Sequence, residues 1–265
     1  MDSNKQRLTL RIGRNTLNIL AYDEDSGNYT YEPVVVKSGV SMAANLRETF
    51  KNSDLLRKGT NGRLRVLIDS NVLMVPVELF AEHTMEEMHH HAFPRQEQDT
   101  TLYNVLPDLN AVAVFSMNKD LKLVLDDRYD NISIISAVAP VWRHLHQRSY
   151  TGSRLKLYVY FHEKRIDVFS FQQNRFKFCN SFDASRPADA LYFMLYVWQQ
   201  LQLRAKYDEL CLVGDIIDQT WIVQQLKKYV QNVIVLQAQT DFSMHPVTAI
   251  KGVPYDLQTF VVKGR

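Results

Sequence analysis

The clearest hydrophobic patterning lies in the second half of the chain. Leu155, Leu157, Val159 and Phe161 alternate with polar or aromatic neighbours, which predicts a strand with one apolar face. Ile166 to Phe171 and Phe176 to Phe178 follow at hairpin spacing, separated by the short polar links Glu163-Lys164-Arg165 and Gln172-Gln173-Asn174. A helix is expected next, capped by Ser185, with Pro187 in its first turn and its end near Leu203. Leu210 to Val213 is a continuous apolar run, expected as a strand buried on both faces and broken by Gly214-Asp215. Ile222, Leu226, Tyr229 and Val230 recur at helical spacing, and Val233 to Leu236 gives one more buried strand.

The first half repeats this order. Two alternating segments (Leu8 to Ile12, Leu17 to Ala21) and Tyr29 to Val36 predict three strands. A helix follows, capped by Ser41 and carrying Met42, Leu46 and Phe50. Leu64 to Ile68 is a fourth strand. The stretch from His83 to Leu109 interrupts the parallel and reads as an inserted helix and loop. The pattern resumes with a strand at Ala111 to Phe115, a helix near Lys119 to Arg128 and a strand at Ile132 to Ile135. A last helix carries Val138, Val141, Trp142 and Leu145. The expected fold class is therefore α/β, with two tandem βββαβαβ lobes facing across a cleft. The expected division is residues 1–150, with the insertion around 83–109, and residues 151–265, with the turn-prone Tyr150 to Ser153 as boundary.

Composition narrows the chemistry. The chain has 265 residues, 46% hydrophobic and 23% charged, enough to bury a core without disulfides. Its 31 basic and 29 acidic residues leave +2, which gives no electrostatic reason to expect nucleic acid as a partner. The apolar stretch Ala190 to Trp198 is too short to span a membrane, and the polar start Met1 to Arg7 lacks a signal-peptide core, so a cytoplasmic protein without membrane insertion is expected. Cys179 and Cys211 sit in apolar surroundings and are expected as buried free thiols. Nine glycines are few for this length, which weighs against glycine-rich phosphate loops.

The twin lobes resemble the actin-like ATPase superfamily, built on the ribonuclease-H-like fold. More narrowly, Arg63 to Phe80, Phe178 to Phe182, Leu212 to Asp215 and Val253 to Leu257 are similar to a bacterial domain-of-unknown-function family with that fold. The arrangement is also similar to the actin-like scaffolds of type II secretion and type IV pilus machinery. The resemblance implies a nucleotide site assembled from three motifs, and these can be compared residue by residue. The first is a strand ending in Asp-x-Gly before a hairpin. Here the strand ends Arg11-Ile12-Gly13, so an arginine, which cannot hold Mg²⁺, stands at the carboxylate position and Arg14 follows. The second is a glycine-rich hairpin. Here it reads Tyr158-Val-Tyr160-Phe-His162-Glu-Lys-Arg165, with no glycine to let backbone amides cradle phosphate. Asp167 lies near an acidic position of the family but reads as a solvent-facing strand residue. The third motif, a strand followed by Gly-Gly, keeps only Gly214, with Asp215 expected to begin a turn or cap the next helix.

Other constellations carry less. His89, His90 and His91 are consecutive and cannot share one face of a helix or strand, so no metal site is expected. His144 and His146 are expected at a helix end. The helix from Pro187 carries Tyr192, Tyr196 and Trp198, either buried between layers or facing a partner. The expectation is a non-catalytic scaffold or interaction protein with an unknown protein partner or a second copy of itself. No cofactor is expected, with ATP and Mg²⁺ left open. The alternatives are a divergent nucleotide-binding protein or phosphotransferase, or a module for an acidic small molecule. Either would use a remnant cleft at Arg11, Gly13, Arg14, His162, Gly214 and Asp215.

Overall fold

A computed structural model describes residues 6–58, 63–94, 98–150, 152–173 and 175–263. Along the chain it contains β1 (Gln6–Ile12), β2 (Leu17–Asp23), β3 (Tyr29–Val34), α1 (Met42–Asn52), α2 (Asp54–Lys58), β4 (Arg63–Ile68), β5 (Val72–Pro76), α3 (Met85–Ala92), β6 (Asp99–Leu106), β7 (Ala111–Asn118), α4 (Lys119–Asp126), β8 (Asn131–Ser136) and α5 (Val138–Ser149). There follow β9 (Lys156–His162), β10 (Arg165–Gln172), β11 (Arg175–Asp183), α6 (Pro187–Gln200), β12 (Glu209–Gly214), α7 (Gln219–Leu226), β13 (Asn232–Val235), α8 (Ala238–Asp241) and α9 (Tyr255–Lys263). Two compact units result. Unit one holds residues 1–105, 112–139 and 246–253; unit two holds 106–111, 140–245 and 254–265.

Each unit has a five-stranded sheet of one design: β3-β2-β1-β4-β8 in the first and β11-β10-β9-β12-β13 in the second. The first three strands of each meander antiparallel, and the last two join in parallel through helices. This is the ribonuclease-H-like order, present twice. In unit one, alternation places Leu8, Leu10, Ile12, Leu64 and Val66 on the face that packs on Leu46 and Phe50 of α1 and Leu121 and Leu125 of α4. Ser41 caps α1 by accepting from the Ala44 N–H. In unit two, Leu157, Val159, Ile166 and Leu212 pack on Met194 and Val197 of α6 and Ile222 of α7.

Several local expectations change. Strand β9 is buried on both faces, not one. Its second face is covered by aromatic packing in which Trp142 of α5 meets Phe169 and Phe176. The N-cap position of helix α6 is Arg186 rather than Ser185, with no side-chain capping bond, because Pro187, lacking an N–H, takes the first helical position; the helix ends at Gln200. Tyr229 lies beyond the end of α7 and is exposed. Strand β13 pairs with β12 at the sheet edge and is half-exposed rather than buried. The segment expected as an inserted helix and loop holds α3 and a strand, β6. The strand at Ala111 to Phe115 extends to Asn118 as β7 and joins β5 and β6 in a separate three-stranded sheet. Val75, Val112 and Val114 give that small sheet its own apolar cluster with Phe80, Met85 and Tyr103.

Candidate functional site

The first motif falls on the β1–β2 hairpin of unit one. The Gly13 N–H donates to the Thr16 carbonyl at 2.8 Å and closes the turn. Arg11, only 1% exposed, reaches the end of the neighbouring parallel strand: its Nη2 lies 3.3 Å from Asp69 Oδ2 and its Nη1 donates to Thr16 Oγ1 at 3.2 Å. The Asp69 N–H in turn donates to the Ile12 carbonyl at 2.9 Å. Arg11 is thus a buried cation that ties β1 to the end of β4, at the position where the resemblance implies a carboxylate. Arg14 is exposed and donates to Asn71 Oδ1 at 3.0 Å. Asp69 escaped sequence reasoning because its role follows from register: Ile12 and Ile68 are paired, so the residue after Ile68 faces the hairpin.

The second and third motifs lie in unit two. The β9–β10 turn is made by Glu163 and Lys164, both in the left-handed region at φ 41° and 64°. Such a tight turn ordinarily uses Asn or Gly. Here it is anchored by the Ala184 N–H donating to the Lys164 carbonyl. His162 is buried, and its Nε2 lies 2.8 Å from Asp167 Oδ2; Arg165 Nη2 lies 3.5 Å from the other oxygen of that carboxylate. Asp167 is 5% exposed and does not face solvent as expected, because the face of β10 that carries it lies beside Tyr160 and is covered by the aromatic packing there. Burial alone would raise its carboxyl, but the charge and hydrogen bond of His162, with Arg165, hold it below the usual carboxylate range.

Gly214 ends β12 at φ +93°, and a Cβ there would sit 2.2 Å from the Phe161 carbonyl oxygen and 2.9 Å from the Tyr160 ring. The space that a glycine opens at this strand end is therefore filled from within the unit. Tyr160 is 1% exposed and stacks on His162 with ring centroids 4.5 Å apart and planes at 11°. Asp215 is exposed; its N–H donates to the Phe161 carbonyl, while the cap of α7 is Asp218. The six candidate residues thus divide: Arg11, Gly13 and Arg14 belong to unit one, and His162, Gly214 and Asp215 to unit two.

A further polar cluster in unit two was only partly legible. Asp241, at the end of α8, receives His144 Nε2 at 2.7 Å, Arg148 Nη1 at 2.7 Å and the Tyr255 hydroxyl at 2.8 Å. Burial would raise its carboxyl, but the His144 hydrogen bond and charge, with Tyr255 and Arg148, pull it below the ordinary range. Burial, and then the Asp241 charge and hydrogen bond, push the Tyr255 hydroxyl well up. The histidine run lies on α3, where His89 is buried, His90 faces Glu86 at 3.5 Å and His91 faces Glu87 at 3.9 Å. No group of three metal-ligating side chains converges among the described residues. Both cysteines are free thiols; Cys211 is buried and its thiol is pushed up to about 12 by that burial, while Cys179 is half-buried. On α6, Trp198 is buried, whereas Tyr192 and Tyr196 are 62% and 47% exposed and stack on one another. No described helix is long and apolar enough to cross a membrane.

The family described as "Protein of unknown function (DUF3822)" matches residues 1–233 of the chain. The chain belongs to this family. A solved structure from Bacteroides thetaiotaomicron VPI-5482, a protein with actin-like ATPase fold and unknown function, is 26% identical. It superposes with a TM-score of 0.83 over 95% of this chain and 99% of that one. A chain of a PilM-PilN type IV pilus biogenesis complex is 12% identical, with a TM-score of 0.55 over 97% of this chain and 94% of that one. No curated protein matches. The DUF3822 chain therefore has the actin-like ATPase fold, and the two sheets of identical strand order are its twin ribonuclease-H-like lobes.

Proposed function

We propose that this chain is a non-catalytic scaffold or protein-interaction module built on an actin-like ATPase fold. The observation that carries the reading is the Tyr160 ring against Gly214. A side chain of the protein occupies the room that the glycine provides, and His162 and Asp167 close the layer beneath it. In unit one the buried Arg11–Asp69 pair supports the same reading, because it puts a cation where metal chemistry needs a carboxylate. Both features look like the sites of an ATPase converted to packing. The occurrence of the fold in a type IV pilus biogenesis complex fits an assembly role. A cytoplasmic location and a protein partner or second copy go with this proposal.

The test is nucleotide binding and turnover. A ligand that binds only the native state stabilises it by about 2.7 kcal/mol at a hundred times its Kd. Millimolar ATP, ADP or GTP with Mg²⁺ is expected to leave the thermal midpoint unchanged, with no steady ATP hydrolysis. Saturable nucleotide stabilisation would establish the nucleotide-binding alternative instead, and steady hydrolysis of ATP the phosphotransferase one. Sedimentation of the chain alone then distinguishes self-association from a chain that needs a different partner.

A further inference from the structure

The face of the unit-one sheet opposite its helical core carries a second cationic group, at the other end of the strands from Arg11. The pairing of Leu8 with Leu64 and of Arg63 with Asn131 sets Arg7, Arg63 and Asn131 side by side in one row. Arg65 stands in the next row, between Thr9 and Ser133. These side chains, with Gln6 and Glu24, line a cavity of about 580 Å³. Its size falls within the roughly 300–1,000 Å³ of small-molecule sites. Four residues of extended chain, roughly 13 Å, separate Arg7 from Arg11 on β1, so this cavity is not the nucleotide position of the fold.

We propose that Arg7, Arg63 and Arg65 bind a small polyvalent anion, bearing phosphate or carboxylate groups, at the amino-terminal edge of the parallel strands. The register sets the three guanidinium groups on adjacent strands of one sheet face, close enough to meet one compact anion together. Among the described residues lining the cavity, Glu24 supplies the carboxylate, and it is engaged by Arg7 Nε at 2.5 Å. Burial and the neighbouring charge of Arg7 together push the half-buried Arg65 guanidinium below its ordinary value. Arginine is the residue whose planar fork meets phosphate and carboxylate oxygens two at a time. The amides of Gln6 and Asn131 add neutral donors at the rim. A concave pocket in a chain of net charge +2 suits a compact anion better than a nucleic-acid strand, which needs an extended basic track.

The test is calorimetric titration of the full chain with inorganic pyrophosphate and, separately, citrate, at low and matched ionic strength. Saturable binding of at least one of them is expected, and the tighter of the two identifies the acid group. Arg63→Gln and Arg7→Gln change exposed side chains and are expected to keep the thermal midpoint of the free protein while weakening binding tenfold or more. The proposal is overturned if neither anion binds at millimolar concentration. It is equally overturned if both variants, folded as judged by that midpoint, bind as tightly as the parent chain.

Discussion

The two units share one strand order and one pattern of helix packing, yet the second faces of their sheets differ. In unit one that face carries Arg7, Arg63 and Arg65 at one end and the buried Arg11–Asp69 pair at the other. In unit two it is a layer of rings, with Tyr158, Tyr160, Phe169 and Phe171 lying against Trp142, His146 and Tyr255. Its carboxylates Asp167 and Asp241 are each held by basic or hydroxyl partners inside that layer. The duplicated fold specifies the helical face tightly, because Leu, Ile and Val must alternate toward the core. It specifies the other face loosely: unit two covers its own with aromatic side chains that bury Lys156 and Arg165 among them, while unit one leaves Arg7 and Arg63 exposed.

The contrast can be broken at its strongest points first. Arg11→Ala leaves Asp69 buried without this partner and is expected to cost about 3–5 kcal/mol, read as a lower denaturation midpoint at unchanged m-value. Arg11→Met is expected to recover part of that loss, since an apolar side chain of similar length restores packing. If Arg11→Ala were neutral, the pair would not be holding the two strands together. In unit two, Gly214→Ala forces a Cβ into the Phe161 carbonyl at a left-handed φ and is expected to cost about 3 kcal/mol. Retaining Gly214 but replacing Tyr160 by alanine opens the same space. Nucleotide stabilisation appearing only in Tyr160→Ala would show that the ring alone blocks an otherwise intact pocket.

Acid titration sharpens the comparison further. Asp167 and Asp241 have folded-state pKa values below their unfolded ones, which lie near about 3.9. Their ionised forms therefore contribute stability in full above that range, and the contribution is lost as pH falls through the lowered folded values. Asp241→Asn should be less stable than the parent chain at neutral pH and should converge with it in acid. Parallel curves of stability against pH for the two proteins would refute the linkage. The smallest effect is expected at Tyr192 and Tyr196, whose joint replacement by serine should change stability by less than about 0.5 kcal/mol each. These exposed rings on α6 contribute little to the fold.

How much was legible depended on whether a residue's partner was close in sequence. The first hairpin, the Ser41 cap and the duplicated βββαβαβ order follow from local periodicity and came through in the sequence. Pro187 moves the start of α6 one residue past the one that a Ser185 cap predicts. Asp167 looked solvent-facing because alternation cannot tell a sheet covered on one side from one covered on both. Asp69 and Asp241 could not be assigned from sequence, since their partners lie 58 residues away for Arg11 and 97 for His144.

By itself, then, the sequence determined the fold class and which residue types stand at the strand ends, because backbone periodicity and residue chemistry are local properties. Only the tertiary structure decided what those residues touch. Whether Arg11 is a surface charge or a buried tie, and whether Gly214 faces open space or the ring of Tyr160, depends on strand register and on what covers the second face of each sheet. Those are set by contacts between distant segments, and no local pattern encodes them.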